Sequence, residues 1–423
     1  MGNTIKNILI ISHNPLSRVN NNGKTLVSIL KGMPAENIYQ IYLNSDIPDY
    51  DEGCHYLQIN EKQILSSVIK RTNMCCREVA ADASMVAATA IKTGAFAIQA
   101  KRLLREGIWK LAFWKSKLAT WLQSKKIDVI FFMAGDGLFA HDVYDFVKKK
   151  TGAKGCLFFT DDYVIGKSSR SPIAALRRSL LKRKIKATFP SVDELYVISE
   201  EMRKAYKAMW GRDGYVIRNF SVERTASSGK NTKKASDTLV MVYAGGLHYN
   251  RWKVLAQIAD ALKKINASGN EKCYLKIYSS QNISSEIIDS MVIDGASEFL
   301  GGVSASQIAD VYAGADILLH VESFDKKAVA STKYSFSTKI PEYLSADKCV
   351  LAVGPAEVAS VQYLSEFACV VSDSAELLPT LSKLINDNDY REEIRSNCQE
   401  CYDLDFSPQK QEECLEQILS VNR

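Results

Sequence analysis

The feature that most constrains this chain is an alternation, run through twice, of short apolar segments with helical stretches. Asn7–Ser12, Asn37–Leu43, Val129–Met133, Gly155–Thr160 and Glu194–Ser199 are nearly continuous runs of branched and aromatic residues. Strands of that kind belong in a parallel sheet covered on both faces. Helical patterns lie between them, the longest around Ala97–Lys125, and Ser199 is placed to cap a helix with Glu201 in its first turn. Residues 223–236 (ERTASSGKNTKKAS) carry no large apolar side chain and mark a linker. Beyond it the alternation restarts with Leu239–Ala244, Leu275–Tyr278, Glu298–Gly301, Ile317–His320, Val350–Val353 and Cys369–Val371. The pattern predicts an α/β chain of two doubly wound, Rossmann-like domains facing each other across a cleft. Ligands of such sheets sit outside the carboxyl ends of the strands, so the cleft is the expected site.

Composition narrows the class. Hydrophobic residues at 46% and charged residues at 24% match an ordinary globular chain and exclude wholesale disorder. No apolar run approaches the roughly 18 residues of a membrane span. The longest candidate, Ala80–Ala100, is broken by Asp82, Lys92 and Gly94. Ile8–Ile11 is too short for a secretory signal and is followed by His13 and Asn14, so a soluble, cytoplasmic protein is expected. The CxxC of Cys398 and Cys401 has no second CxxC and no histidine at zinc-finger spacing, and Cys75–Cys76 stands alone. Reduced, mostly buried thiols are the reading.

The net charge of +6 hides an asymmetry. Residues 1–222 hold 34 Lys+Arg against 20 Asp+Glu (+14), and residues 223–423 hold 20 against 28 (−8), which sums to +6. Lys167, Arg170, Arg177, Arg178, Lys182, Arg183, Lys184 and Lys186 follow one another without an acid between Asp162 and Asp193. Lys101–Lys126 holds eight basic residues and only Glu106, interleaved with Trp109, Phe113, Trp114 and Trp121. Basic amphipathic helices with aromatics suit an anionic membrane surface, against the plainer reading of an apolar stripe with a solvated back. Nucleic acid is not expected, since no recognition module is present and the C-terminal half is acidic.

Several segments carry candidate chemistry. Gly23-Lys24-Thr25 after the first strand lacks the P-loop glycine five residues earlier, where Arg18 stands, which leaves a polar loop feeding a helix at Thr25. His13 follows that strand and is a candidate ligand contact, and Asp136 ends another strand between two glycines. In CLFFTDDYVIG, Asp161 and Asp162 are candidates for sugar or acceptor contact, the alternative being that Asp162 caps the next element. In VYAGGLHYNRW, Gly245 and Gly246 let backbone approach a ligand, and Arg251 opens a helix, an arrangement suited to phosphate. His248 and Tyr249 lie in the same loop, and His55 and His141 are expected at the surface. Ser337, Thr338 and Lys339 precede a helix bearing Glu342, whose carboxylate suits a ribose diol.

These motifs, in this order over nearly the whole chain, resemble the retaining GT-B glycosyltransferases of family four, the bacterial polysaccharide type. YVISEEMRKAYKAMWGRDGYVIRNF is similar to the family's end-of-first-domain pattern, with Asn219 at its asparagine. The resemblance puts Arg251 at the lysine of the phosphate-binding pair and Gly246 at its arginine, so one usual cation is missing, and Lys339 is a candidate replacement. It implies that Gly302 and Val303 lie against the nucleobase. Glu342 matches the second glutamate of the E-x7-E motif, while the first falls at Tyr334; Glu322 is a candidate substitute carboxylate. Asp161 takes the position of a sugar-contacting histidine. The implied domains are 1–222 on the acceptor side, joined by the C-terminal helix at about 405–423, and 223–404 binding the donor. The implied activity is retaining transfer of a sugar from a UDP- or GDP-linked donor to a glycan or lipid-linked acceptor, with no resident cofactor and no metal. An epimerase of the same fold, or a non-catalytic nucleotide-sugar-binding subunit, are the rivals.

Overall fold

A computed structural model describes residues 5–18, 21–71, 75–82, 95–165, 171–220, 238–268 and 272–420. The polar segment 223–236 and the basic residues Lys167 and Arg170 lie outside the described residues. The chain divides into two compact units, Met1–Asn219 with Gln411–Arg423, and Phe220–Lys410.

The first unit is built on an eight-stranded sheet. Its strands are β1 (Ile8–Ser12), β2 (Ile38–Tyr42), β3 (His55–Gln58), β4 (Arg77–Val79), β5 (Val129–Ala134), β6 (Lys154–Phe159), β7 (Glu194–Val197) and β8 (Tyr215–Val216). They lie in the order β4-β3-β2-β1-β5-β6-β7-β8, parallel except for the antiparallel pair β3–β4. Strand β1 is buried throughout, as the unbroken apolar run requires. The chain winds outward from β1 to β4 and then returns to the other side of β1 with β5, which makes the β1/β5 junction the switch point of this sheet.

Its helices are α1 (Asn21–Ile29), α2 (Glu61–Lys70), α3 (Ala95–Leu111), α4 (Trp114–Gln123), α5 (Leu138–Thr151), α6 (Pro172–Thr188) and α7 (Glu200–Trp210). Ser199 caps α7, its hydroxyl accepting from the Met202 amide at 3.2 Å. Helix α1 begins at Asn21, earlier than Thr25, so Gly23 lies inside it, where a Cβ would stand 2.5 Å from the Pro15 carbonyl and no side chain fits. The single helix expected over Ala97–Lys125 is two helices, broken at Ala112–Phe113. Trp109 and Trp114 are five residues apart and would project about 140° apart on one straight helix. The break lets both bury, with Trp109 stacked on Phe139 at 4.2 Å and Trp114 meeting Phe146 edge-on.

The second unit holds a six-stranded parallel sheet: β9 (Thr238–Ala244), β10 (Lys272–Tyr278), β11 (Ser297–Gly301), β12 (Ile317–Val321), β13 (Cys349–Val353) and β14 (Cys369–Val371). Its order, β11-β10-β9-β12-β13-β14, puts the switch point between β9 and β12. Around it run α8 (Arg251–Ser268), α9 (Ser285–Met291), α10 (Ile308–Ala313), α11 (Lys326–Thr332), α12 (Ile340–Ser345), α13 (Ala359–Leu364), α14 (Leu377–Asn386) and α15 (Asn388–Asp405). Helix α16 (Pro408–Leu419) then packs on the first unit. Gln411 donates from Nε2 to the carbonyls of Ile29 and Lys31, and Lys154 Nζ binds the carbonyls of Gln417, Ile418 and Ser420. All ten cysteines are free thiols and nine are buried, Cys398 and Cys401 among them.

His141 corrects the sequence reading, for it is fully buried in α5, edge-on to Phe132 with Nδ1 3.2 Å from the Thr188 hydroxyl. Burial, and after it the charge of Lys184, lowers its pKa to about 3. The folded protein therefore keeps this imidazole neutral where the unfolded chain protonates it near its ordinary value of about 6.5. Stability contributed this way is present above about pH 6.5 and is lost as pH falls toward 3. Thermal unfolding followed between pH 4 and 7 should show a midpoint falling with pH, and His141→Asn should flatten that fall while lowering the midpoint at pH 7.

Candidate functional site

At the switch point of the second unit, β9 ends in the loop Gly245–Asn250 and α8 begins with Arg251. Tyr249 and Asn250 both take left-handed backbone, at φ 59° and 62°, a conformation that costs energy in residues other than glycine. The sharp turn aims the Arg251 side chain across the switch to the carboxyl end of β12. There Nη2 donates to Glu322 Oε1 at 2.8 Å and Oε2 at 2.9 Å, and Nε reaches Oε2 at 3.3 Å. Glu322 is buried, its side chain 4% exposed, and Arg251 is partly buried at 14%. Burial opposes the charge of Arg251, but Glu322 outweighs it and holds the pKa above the ordinary arginine value. Burial pushes the Glu322 carboxyl upward and the guanidinium pulls it back. His320, also buried, sits behind the pair with Nε2 3.6 Å from Glu322 Oε1; burial first and Arg251 second lower it to about 3, so it is neutral.

The glycine pair is explained by packing inside the loop itself. A Cβ on Gly245 would stand 2.6 Å from the Tyr243 hydroxyl, and one on Gly246 would stand 2.5 Å from His248 Nδ1. Tyr243 donates to the Gly246 carbonyl at 2.7 Å and so fixes the turn. The neighbouring strand ends are tied to it, since the Gly245 amide donates to Tyr278 and the Ser279 amide to Gly301. A Cβ on Gly302 would stand 3.2 Å from Ser280, with Val303 next in sequence and Gly301 in left-handed backbone at φ 74°. Gly245, Gly246, Arg251, Gly302 and Val303 are thereby gathered on the carboxyl ends of β9, β10 and β11.

Ser337, Thr338 and Lys339 lead directly into α12, as the sequence predicts. The Ser337 amide donates to Ser360 Oγ at 3.0 Å, and the Ser337 hydroxyl accepts from the Lys339 amide at 3.4 Å. Glu342 stands in the first turn, its Oε2 accepting from the Tyr312 hydroxyl at 3.2 Å. Tyr343, next in sequence, is buried with its hydroxyl 3.4 Å from the Ala244 carbonyl, which ties α12 to the end of β9. Glu322 is committed to Arg251 through both oxygens, and this corrects its sequence reading as a substitute carboxylate for sugar. Its signal was present: an acid directly after a buried apolar strand, across from an arginine that opens a helix.

In the first unit the carboxyl ends of β1, β5 and β6 carry His13, Asp136 and Asp161–Asp162. His13 keeps an exposed edge, yet burial and then Arg105 lower its pKa. Asp136 accepts from Arg102 Nη1 at 2.6 Å and Arg177 Nη1 at 3.1 Å. Burial would raise its pKa, but the two arginines prevail and hold it below the ordinary value. Asp162 is 3% exposed and accepts from the amides of Val164 and Ile165 at 2.9 Å, the turn-capping role weighed for it in the sequence. Asp161 is partly exposed and accepts from the Asp162 amide. Among the described residues, no three His, Cys, Asp or Glu side chains are grouped to hold a metal ion.

The basic stretches are less unbalanced than their sequence. Arg177 is buried on Asp136, Lys184 pairs with Asp142 and Asp145 at 2.7 and 2.8 Å, and Arg105 pairs with Glu61 at 3.2 Å. The compensating acids come from other elements, which a count within the stretch misses. Trp109, Trp114 and Trp121 are core residues, so the expectation of aromatics interleaved on a membrane face fails for them. Leu176, Lys182, Arg183 and Lys186 remain exposed on α6. No described helix is long and apolar enough to cross a membrane.

Removing one partner of a buried ion pair strands the other charge. Arg251→Met should destabilise the second unit by about 3–5 kcal/mol, and Arg251→Met with Glu322→Leu should regain most of that. Chemical denaturation of both variants checks the pair; equal losses would show that Glu322 does not depend on Arg251.

No family model and no curated protein matches this sequence. Solved structures do. The UDP-forming α,α-trehalose-phosphate synthase of Burkholderia xenovorans, in complex with glucose-6-phosphate, is 10% identical with a TM-score of 0.60 over 98% of this chain and 100% of that one. Anabaena HepE in complex with UDP is 14% identical with a TM-score of 0.63 over 97% and 98%. The sucrose-phosphate synthase of Thermosynechococcus elongatus is 12% identical with a TM-score of 0.61 over 98% and 97%. Identities this low speak to fold, and in that respect the expectation from sequence holds: two Rossmann-like units on parallel sheets give this chain the GT-B glycosyltransferase fold.

Proposed function

We propose that the protein is a glycosyltransferase that moves a sugar, with retention, from a UDP- or GDP-linked donor to a hydroxyl of a glycan or lipid-linked acceptor in cell-surface polysaccharide or glycolipid synthesis. The observation that carries this reading is Arg251, fixed at the switch point of the second sheet beside the head of an 18-residue helix, with Glu342 nearby on α12. A leaving nucleoside diphosphate develops negative charge, and a guanidinium already oriented by Glu322 offsets it without reorganising. Lys339 adds a second cation. Glu342, with Oε2 on Tyr312, offers its remaining acceptor capacity to the ribose hydroxyls. UDP in HepE and glucose-6-phosphate in the trehalose-phosphate synthase are ligands of proteins with this fold, and they support a nucleotide-linked donor and a sugar acceptor.

In calorimetric titrations against UDP and GDP, Glu342→Gln should lose about 2–4 kcal/mol of affinity for whichever nucleotide binds, the scale of charge-assisted hydrogen bonds. Unchanged affinity would remove Glu342 from the ribose. Product analysis with a panel of nucleotide sugars and lipid or glycan acceptors separates transfer from its rivals. An epimerised nucleotide sugar would favour the epimerase, and binding without turnover the non-catalytic subunit.

A lipid-linked acceptor is favoured by the exposed face of α6, where Leu176, Lys182, Arg183 and Lys186 face solvent with no acid among them. Each cation near an anionic bilayer contributes about 1 kcal/mol, screened by salt. Wild type should sediment with phosphatidylglycerol vesicles at low salt and not with phosphatidylcholine, and changing Arg178, Lys182, Arg183 and Lys186 to glutamine should abolish this. Equal sedimentation of wild type with neither vesicle would point to a soluble acceptor.

A further inference from the structure

The loop that carries Arg251 contains a hydrogen-bonding mismatch. His248 lies between two groups that only donate: Gln281 Nε2 stands 3.1 Å from Nδ1, and Arg251 Nη1 stands 3.1 Å from Nε2. Gln281 is held in that orientation by its Oε1, which accepts from the Leu247 amide at 2.7 Å. A neutral imidazole has one acceptor nitrogen and one N–H. In either tautomer, therefore, one N–H of His248 is directed at another donor. Turning the Gln281 amide over moves the conflict to Leu247 without removing it. Leu247, Gln281 and Arg251 supply three donors and His248 a fourth, against two acceptors, Gln281 Oε1 and one ring nitrogen. Protonating the ring would make it worse, and burial followed by Arg251 lowers the pKa of His248, which keeps it neutral. Among the described residues no further acceptor at this ring is found. His248 is exposed, so in the free protein solvent takes the N–H that no protein group accepts, and an anionic oxygen at that point would replace it with a stronger partner.

We infer that His248 is a direct ligand of the bound diphosphate, its Nε2–H donating to a phosphate oxygen while Nδ1 accepts from Gln281. Arg251 Nη1 then turns from the ring to the same phosphate, with Nη2 and Nε still on Glu322. Every donor in the cluster thereby meets an acceptor. The imidazole occupies in the free protein the position in front of Nη1 that the phosphate takes, so binding exchanges one conflicted contact for two charge-assisted ones. The loop is built to hold the ring there: Tyr249 and Asn250 are left-handed, a Cβ on Gly246 would collide with Nδ1, and His248 packs edge-on to Tyr249 at 4.8 Å. This inference rests on the reading of Arg251 as the diphosphate ligand.

The test is calorimetric titration of UDP and GDP, and of uridine and guanosine as controls lacking phosphate, into wild type, His248→Phe, His248→Gln and Arg251→Gln. His248→Phe keeps a ring against Tyr249 and should weaken the nucleoside diphosphate about tenfold, the size of one hydrogen bond to a charged group, while leaving the nucleoside unaffected. His248→Gln retains an N–H and should recover most of the loss. Thermal midpoints equal to wild type establish that both variants are folded; a variant that unfolds is replaced by His248→Tyr in the same comparison. If Arg251→Gln weakens the diphosphate and His248→Phe does not, the role of His248 is overturned and the diphosphate reading stands. If Arg251→Gln also leaves diphosphate binding unchanged, both fall.

Discussion

A guanidinium at the head of a helix stands where the helix field already opposes it, because the unpaired amides of the first turn carry partial positive charge. Arg251 is in that position and is largely withdrawn from water as well. Glu322 is what makes the arrangement tenable: one carboxylate answers the side chain and the positive end of α8 together. The pair also joins the two strands on either side of the switch point, so the loop after β9 and the segment after β12 are fixed by the same interaction that keeps the charge. The left-handed turn at Tyr249–Asn250, the glycine pair beneath Tyr243 and the position of His248 all follow from delivering that one side chain across the sheet.

The first unit solves the same problem with the signs reversed. At its own switch point a carboxylate, Asp136, is gripped by Arg102 and Arg177 from two helices. In both units a charge at the carboxyl edge of the sheet is partly withdrawn from water, paired and directed by neighbours from distant parts of the sequence. Such groups reorganise little when a ligand arrives, which is the property an electrostatic site requires. The arginines that make the first half look so basic are thus partly spent on its interior, and the surface that remains positive is the smaller face of α6.

The strands were legible because parallel strands covered on both faces leave unbroken apolar runs, and β1, β5, β9 and β14 fall within a residue or so of where those runs place them. Strands β3 and β4 were not, since HYLQ and REV are short, partly polar and held by the sheet edge. The split of α3 from α4 has no glycine or proline to announce it; the need to bury Trp109 and Trp114 together decides it. His141 was misjudged because a histidine among apolar residues looks the same on paper whether it faces Phe132 or water. At the site, the glycines, Arg251 and Glu342 could be found from spacing. The pairing of Glu322 with Arg251, the part of Tyr312 and the Gln281–His248 contact could not, because they depend on which strand ends become neighbours, and only the winding order of the sheet sets that.

Helix α16 has a consequence for the order of assembly. Its contacts with Ile29, Lys31 and Lys154 complete a unit that the chain began some 380 residues earlier and left at about Asn219. During synthesis the second unit emerges whole before that helix does, so the half made first is the half finished last. Until α16 arrives, the Ile29 and Lys31 carbonyls and the Lys154 ammonium stand without those partners. The early half waits as an incomplete sheet-and-helix layer, and helix α16 acts as the closure that ends that interval.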